Sequence, residues 1–181
     1  MSIFALEHRP LAYVVDFVFY GLLTSSLAVV LVVFGLDEHE VQLAAIVCAG
    51  AVAWTVLEYA IHRFVLHGLR PFSDWHAEHH RRPSALICAP TLMSAALIAG
   101  LVLLPALLWA GPLRAGALTL GVLAGYLTYS TVHHAAHHWR PSSGWARRCK
   151  RRHALHHRHA EPGGHYGVTS GFWDYVFATS S

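Results

Sequence analysis

Four long apolar runs, separated by short polar segments, account for most of the first 132 residues. Each run is long enough to cross the hydrocarbon core of a bilayer as a helix, which takes about 20 residues. The first run is interrupted only by Asp16 and is too long for the apolar region of a signal peptide, so we expect it to be retained. The predicted spans are residues 11–36, 41–66, 84–110 and 113–132.

Prolines and polar segments complete this pattern. Pro90 and Pro105 are expected to kink the third span without excluding it from the membrane. We predict an all-α fold in which residues 1–181 form a single integral-membrane domain with about four transmembrane helices. A histidine-rich helical cap is expected from the loop at 67–83 and the tail at 133–181.

Charge predicts the orientation of this bundle. Only 13% of the residues are charged, against roughly a quarter in soluble domains. Four spans place the N-terminus, the 67–83 loop and the tail on one side of the membrane, with all of the 13 Lys and Arg residues except Arg114. That side should therefore be cytoplasmic. Arg outnumbers Lys and Ala is abundant, as in GC-rich bacteria, which favours a bacterial inner membrane.

Other features restrict the class of protein. The basic run at 147–152 suits anionic lipid headgroups better than nucleic acid in a membrane-spanning chain. The three cysteines form no CxxC pair and are expected to be free thiols. The aromatic segment at 172–177 is expected either at the membrane interface or packed against the bundle.

Sixteen histidines are the most unusual feature of the composition, and most of them fall into four clusters on the predicted cytoplasmic side. Such crowding is typical of metal or proton chemistry. The clusters are His62-x4-His67, His76-x2-His79-His80, His133-His134-x2-His137-His138 and His153-x2-His156-His157.

The spacing within these clusters favours metal binding. Residues at positions i, i+3 and i+4 share one face of a helix, so each HxxHH cluster can converge. His134-x-x-His137-His138 is a second frame for the third cluster. His62 and His67 are five residues apart and can converge only if the helix ends or bulges between them. With two histidines counted from the third cluster, the four clusters supply ten imidazoles, which suit two metal ions. Imidazole ligands alone leave the identity of the metal open among iron, zinc, copper and nickel.

Carboxylates near these clusters could orient the metal ligands, because a bound histidine usually donates its other N–H to an acceptor. Glu58 lies one helical turn before His62, although it could equally meet Arg63 or water at the interface. Asp74, Glu78 and Asp174 are the other candidates.

Several of these motifs together resemble the fatty acid hydroxylase superfamily, which also contains sterol desaturases and carotene hydroxylases. The resemblance begins with Glu58-Tyr-Ala-Ile-His62-Arg-Phe-Val-Leu-His67 and Trp75-His76-Ala-Glu-His79-His80-Arg-Arg-Pro83. It ends with Gly167-Val-Thr-Ser-Gly-Phe-Trp-Asp174-Tyr-Val-Phe, which is similar to the fatty acid hydroxylase and sterol desaturase branches. The residues after His80 depart from the carotene hydroxylase branch.

This resemblance implies a dimetal centre, with two iron ions (or zinc in purified protein) that use O2 as co-substrate to attack a C–H bond of a membrane lipid. Glu58 and Asp174 are expected to support the centre from outside its ligand shell. His134, His138 and His165 are less certain ligands. The implied ligands are His62, His67, His76, His79, His80, His133, His137, His153, His156 and His157.

Some members of the superfamily carry a fused cytochrome b5 domain, for which this chain has no room. A separate electron donor is therefore expected, either ferredoxin-like or cytochrome b5-like with its reductase. Desaturation of a sterol or other lipid and carotenoid hydroxylation remain alternatives within the superfamily. A membrane metal-binding or transport protein is the alternative outside it, although the middles of the predicted spans lack the ligands that a transport path needs.

Overall fold

The structure is a computed structural model that describes residues 7, 9–35, 40–158 and 164–180. Every regular element in these ranges is helical, as predicted. Two helices contain a π-helical stretch, at Ile61–Leu66 and Ala99–Leu103. The α-helices are α1 (Pro10–Gly35), α2 (Glu40–Ala60), α3 (Phe72–Arg81), α4 (Thr91–Ile98), α5 (Leu104–Ala110), α6 (Pro112–His138), α7 (Gly144–Arg158) and α8 (Phe172–Val176).

Four helices in the described ranges are long and apolar enough to cross a membrane, which confirms the predicted class of fold. They are Pro10–Gly35, Glu40–Leu66, Thr91–Ala110 and Pro112–His138.

Two of these boundaries differ from the sequence-based expectation. The third helix starts at Thr91 rather than at residue 84, because Pro83 and Pro90 disfavour helical backbone in the segment before it. The fourth helix does not end at residue 132 but continues through the third histidine cluster to His138.

The chain divides into two compact units, and residues 1–54 and 86–127 contribute to the first. Within it, α2 and α6 approach closely at Gly50 and Gly121. A Cβ atom at Gly50 would lie 2.5 Å from the carbonyl oxygen of Leu118, and one at Gly121 would collide with the Val47 carbonyl. Small residues allow such close backbone contact between membrane helices, which takes the place of the hydrophobic drive available in water.

Polar side chains join α1 to α4 within the same unit. The Thr91 hydroxyl donates to the Asp16 carboxylate at 2.5 Å, and the hydroxyls of Tyr20 and Ser94 are 2.6 Å apart. Asp16, the single charge in the first apolar run, is thus buried against α4 rather than exposed to lipid. Intramembrane carboxylates need such partners because unpaired polar groups are costly in hydrocarbon.

Residues 55–85 and 128–181 contribute to the second unit. Its apolar core includes Val132, Cys149 and Val168. Two aromatic residues of the terminal segment contact α2, since the Trp173 indole donates to the Thr55 hydroxyl and the ring of Phe177 stacks on Tyr59. The side chains of Phe172 and Tyr175 are exposed. All three cysteines are free, as predicted.

Some features of the sequence lie outside the described residues. These include most of the acidic turn at 37–40 and the isolated histidines His8, His39 and His159.

Candidate metal centre

A π-helical stretch brings together the two histidines of the first cluster, although they are five residues apart. Residues Ile61–Leu66 are π-helical, and π-helical hydrogen bonds join residues five apart. His62 and His67 can therefore point the same way, and their ring centroids lie 5.4 Å apart. The helix bulges between the two histidines, which is one of the two arrangements that the spacing required.

The other three clusters lie on regular helices. Helix α3 carries His76, His79 and His80, while α7 carries His153, His156 and His157. On both helices the i and i+3 histidines are buried. The last turns of α6 add His133 and His137, which are one turn apart with ring centroids at 4.9 Å.

These ten histidines, all in the second unit, form two groups of five. In each group every residue offers one ligand atom, and the five atoms all lie within 4.8 Å of one another. Group 1 consists of His62, His67, His76, His80 and His156. Group 2 consists of His79, His133, His137, His153 and His157.

The Nε2 atoms point towards the centre of each group. In group 1 the Nε2 atom of His76 lies 3.0 Å from that of His62 and 3.1 Å from that of His80. In group 2 the Nε2 atom of His153 lies 2.7 Å from that of His137. The two groups are neighbours, since the rings of His80 and His157 stack at 4.2 Å.

Burial and mutual repulsion keep these imidazoles neutral. Desolvation is the largest cause and the neighbouring histidines add to it. Together they lower the pKa of His67 to about 4 and the pKa values of His79 and His80 to about 3. The same two causes hold the pKa of His153 well below its usual value. Neutral rings have a free lone pair at physiological pH, which is the form that binds a metal ion.

Backbone carbonyls orient two rings of group 1. The Nδ1 atom of His62 lies 2.6 Å from the Tyr166 carbonyl oxygen, and Nδ1 of His156 lies 2.9 Å from that of Gly164. A carbonyl can only accept, so each Nδ1 carries the proton and each Nε2 keeps its lone pair.

Two buried carboxylates hold the segment that supplies these carbonyls. Asp174 accepts from the backbone N–H groups of Tyr166 and Gly167 at 2.8 and 2.9 Å. Glu58 accepts from the N–H groups of Val168 and Thr169 at 2.7 and 2.8 Å, and from the Thr169 hydroxyl. We define residues 164–169 as the carbonyl loop.

The carboxylate of Glu58 contacts neither His62 nor Arg63, the two side-chain partners that its position in the sequence left open. Its carboxylate turns to the carbonyl loop, and the contact with His62 is made by the Tyr166 carbonyl. Arg63, the alternative partner for Glu58, donates to the Tyr59 hydroxyl. One helical turn of separation permits a contact between side chains, but a closer pair of backbone donors from a distant segment competes for the same carboxylate.

Other sequence candidates lie apart from both groups. His134 and His138 stack on each other, which leaves His133 and His137 as the frame that meets the other clusters. His165 also belongs to neither group. Asp74 lies near Arg70, and Glu78 pairs with Arg81 and Arg82 at the exposed side of α3, so neither carboxylate turns towards the histidines.

Sequence reasoning missed the part that backbone groups play. The Tyr166 and Gly164 carbonyls carry no side-chain signal, and Tyr166 also brings its ring within 5.4–5.8 Å of His62, His67 and His156. Tyr129 was missed as well, although it lies four residues before His133 and stacks on that ring. The i, i+4 spacing was the available signal for Tyr129.

Four helices suited to a membrane, together with this histidine-rich region, define the class: the chain is an integral membrane protein with a candidate metal centre of histidines. A family profile described as fatty acid hydroxylase matches residues 47–179. The chain belongs to the fatty acid hydroxylase family.

Relatives of known activity agree with this family. A dihydroceramide fatty acyl 2-hydroxylase of Arabidopsis thaliana is 36% identical over 149 residues, which cover 76% of this chain and 61% of the relative. A ceramide very long chain fatty acid hydroxylase of Saccharomyces cerevisiae is 34% identical, with 73% and 37% covered. The human fatty acid 2-hydroxylase is 30% identical, with 72% and 38% covered. This chain thus spans less than two thirds of the length of these relatives.

A solved structure shares the fold. It is that of full-length Scs7p, in which only the hydroxylase domain is visible. The two structures superpose with a TM-score of 0.68 at 25% sequence identity, over 94% of this chain and 64% of the other.

Proposed function

We propose that this protein is a membrane-embedded dimetal oxygenase that hydroxylates a C–H bond in the acyl chain of a lipid. The observation that carries the proposal is the presence of two neighbouring groups of five histidines, with the ligand atoms of each group within 4.8 Å of one another. Two ions held by the ten histidines account for this arrangement, and Glu58 and Asp174 act as positioning residues.

The donor sets fit transition-metal ions. Short Nε2–Nε2 separations, such as the 3.0 Å between His80 and His156, bring lone pairs together in a buried place. Without a cation, neutral rings can join only through N–H···N hydrogen bonds from one tautomer to another ring, whereas a shared ion lets all five Nε2 lone pairs of a group point at one centre. All-imidazole donors suit iron, zinc, copper or nickel. Iron is the proposed native metal because the family's hydroxylation needs a redox-active ion, and zinc in purified protein would be a replacement.

When bound, the two iron ions would supply the redox chemistry by which O2 is activated. The overall reaction is R–H + O2 + 2 electrons + 2 H+ → R–OH + H2O, so one oxygen atom enters the lipid and the other leaves as water. The two electrons come from a separate ferredoxin-like or cytochrome b5-like protein with its reductase. The protein's own residues hold the ions, keep the imidazoles neutral and orient the rings through the carbonyl loop.

The names of the relatives support a fatty acyl substrate. These proteins hydroxylate fatty acids, or the fatty acyl part of ceramide or dihydroceramide. By analogy, carbon 2 of a free or amide-linked acyl chain is the proposed site of attack. The relatives do not favour lipid desaturation, carotenoid hydroxylation or metal transport.

The proposed location is a bacterial inner membrane with the histidine groups on the cytoplasmic side. Several basic residues lie in or beside α7, close in sequence to ligands of group 2. They include Arg140, Arg147, Arg148, Lys150 and Arg151. Positive residues concentrate on the cytoplasmic side of membrane proteins.

Metal content and lipid products together test the proposal. Purified protein supplied with iron should hold two ions per chain by mass spectrometry. The variant with His79→Ala and His156→Ala, one change in each group, should lose both. Membranes that contain the wild-type protein should form acyl products with one added oxygen atom, derived from labelled O2 and absent with the variant.

The control is a second variant with His134→Ala and His138→Ala, which lie outside both groups and should keep both ions. The dimetal centre is excluded if wild-type protein binds fewer than two ions when metal is plentiful. Hydroxylation is excluded if two-iron protein with reduced donor converts acyl lipids without incorporating oxygen from O2.

A further inference from the structure

The two histidine groups differ in what lies behind their rings. In group 1, His62 and His156 donate from Nδ1 to backbone carbonyls of the carbonyl loop. In group 2, the Nδ1 atoms of His79, His153 and His157 are buried and have no hydrogen-bond partner within the described part of the chain. The asymmetry concerns the nitrogen that faces away from the centre of each group.

That outer nitrogen affects the strength of metal binding. A ring that binds a metal through Nε2 must carry its proton on Nδ1, so Nδ1 becomes a donor. An acceptor there fixes the ring and raises the basicity of Nε2, and its loss typically lowers metal affinity on the order of 10- to 100-fold. A buried donor without an acceptor instead adds a desolvation penalty.

We propose that the two metal positions are inequivalent: Asp174 and Glu58, through the carbonyl loop, make group 1 the tighter site, and group 2 releases its ion first. This inference rests on the proposed function in that it requires two bound ions. It goes beyond the proposed function in that it concerns the two metal positions separately.

Within the described part of the chain, the two carboxylates hydrogen-bond to the loop and not to the histidine rings. Asp174 holds Tyr166 and Gly167, directly at the carbonyl that orients His62, and its Oδ1 also accepts from the Thr179 hydroxyl. Glu58 holds the next two residues, Val168 and Thr169. Both carboxylates are fully or almost fully buried, so the loss of either would leave buried N–H groups of the loop without a hydrogen-bond acceptor. The described ranges contain no corresponding carboxylate contact behind His79, His153 or His157.

The experiment measures the release of metal from the full-length, detergent-purified protein. Protein loaded with two zinc ions is mixed with an excess of a coloured chelator, and zinc release is followed over time. We expect two phases of one ion each. His153→Ala should remove the fast phase and His67→Ala should remove the slow phase, which assigns the phases to groups 2 and 1.

Substitutions at the two carboxylates then separate positioning from folding. In Asp174→Asn an amide NH2 must face either the Gly167 N–H or the N–H of Tyr166, so one contact is lost without a change of shape. Glu58→Ala loses all three contacts. Glu58→Gln can keep them, because its oxygen accepts from both N–H groups and its NH2 can donate to the Thr169 hydroxyl.

Asp174→Asn and Glu58→Ala should accelerate the slow phase on the order of 10- to 100-fold and leave the fast phase unchanged, while Glu58→Gln restores slow release. Glu78→Gln is the matched control, since this carboxylate also lies among the ligands of α3 but faces Arg81 and Arg82. It should alter neither phase.

Release of both ions in one phase from wild-type protein would overturn the inference while leaving the dimetal centre intact. Equal acceleration of both phases by Asp174→Asn would also overturn it, because a general loss of folding affects both groups. Binding of fewer than two ions by wild-type protein would instead contradict the proposed function itself.

Discussion

At the scale of single residues, the main effect is the conversion of ordinary histidines into neutral, preorganised rings. His79 illustrates it, because burial first and its histidine neighbours second lower its pKa from 6.5 to about 3. A solvent-exposed histidine would be partly protonated near neutral pH. Proton and metal compete for the same lone pair, so this depression favours the metal.

The same shift predicts how the stability of the metal-free protein depends on pH. The unfolded chain binds a proton to His79 below about pH 6.5, whereas the folded protein does not until the pH approaches 3. The unfolded state therefore binds more protons in this window, and the folded state loses stability as the pH falls through it. At pH 5, His79 alone accounts for a loss of up to about 2 kcal/mol.

Thermal unfolding of metal-free protein at pH 7.5 and pH 5 measures this dependence. We expect a lower Tm at pH 5 and a smaller difference in His79→Phe, which removes the titrating ring. His138→Gln, outside both groups, should retain the wild-type difference. A Tm that rises on acidification would contradict the assignment of neutral rings.

At the scale of elements, the π-helical stretch at Ile61–Leu66 matters most for the centre. It accommodates the four residues between His62 and His67 while both rings reach group 1. A regular α-helix would instead separate residues five apart by roughly 140° around its axis. Three of the four clusters use α-helical spacing, so only this element depends on an irregular backbone.

A single deletion and a single insertion test this role. Deletion of Phe64, which is largely exposed, leaves the histidines four residues apart, and a regular α-helix then keeps them on one face. The deletion variant should retain two metal ions. Insertion of one alanine after Phe64 places the two histidines six residues apart, a spacing that neither an α-helix nor a π-helix keeps on one face, so the variant should lose the group 1 ion.

Metal content per chain by mass spectrometry distinguishes these outcomes. We expect about two ions for the deletion variant and about one for the insertion variant, by the ligand geometry above. Retention of both ions in the insertion variant would show that the spacing of His62 and His67 is not critical.

At the scale of the whole molecule, the distribution of charge bears on orientation. The 13 Lys and Arg residues concentrate outside the two turns that four spans place on the far side, with Arg114 as the exception. That concentration predicts an orientation with the N-terminus, the 67–83 loop and the tail in the cytoplasm.

Labelling of introduced cysteines tests this orientation in cell membranes. With Cys48, Cys88 and Cys149 replaced by serine or alanine, Ser142→Cys should react with a membrane-impermeant maleimide only from the cytoplasmic side. Arg114→Cys, near the start of α6, should react only from the opposite side and serves as the matched control. Labelling of both positions from the same side would contradict the four-span arrangement.

Much of this protein follows from sequence because the underlying patterns are local. Apolar length predicts the four membrane helices, and the i, i+3, i+4 spacing predicts which rings share a helix face. Even the bulge near His62 was one of two arrangements that the five-residue spacing allowed. The ligand set remains a prediction, although the structure brings all ten residues into two groups.

Partners that lie far apart in the chain could only be decided by tertiary structure. Local spacing cannot assign His156 to group 1 and its neighbour His157 to group 2, because the division depends on how α3, α6 and α7 meet. Glu58 shows the same limit, since its partners lie 110 and 111 residues away. Every residue type has a backbone carbonyl, so the sequence does not mark those of Gly164 and Tyr166 as the acceptors for histidine rings. The sequence therefore determined the helices and the chemistry of the rings, while the fold alone decided which rings share a centre and which backbone groups orient them.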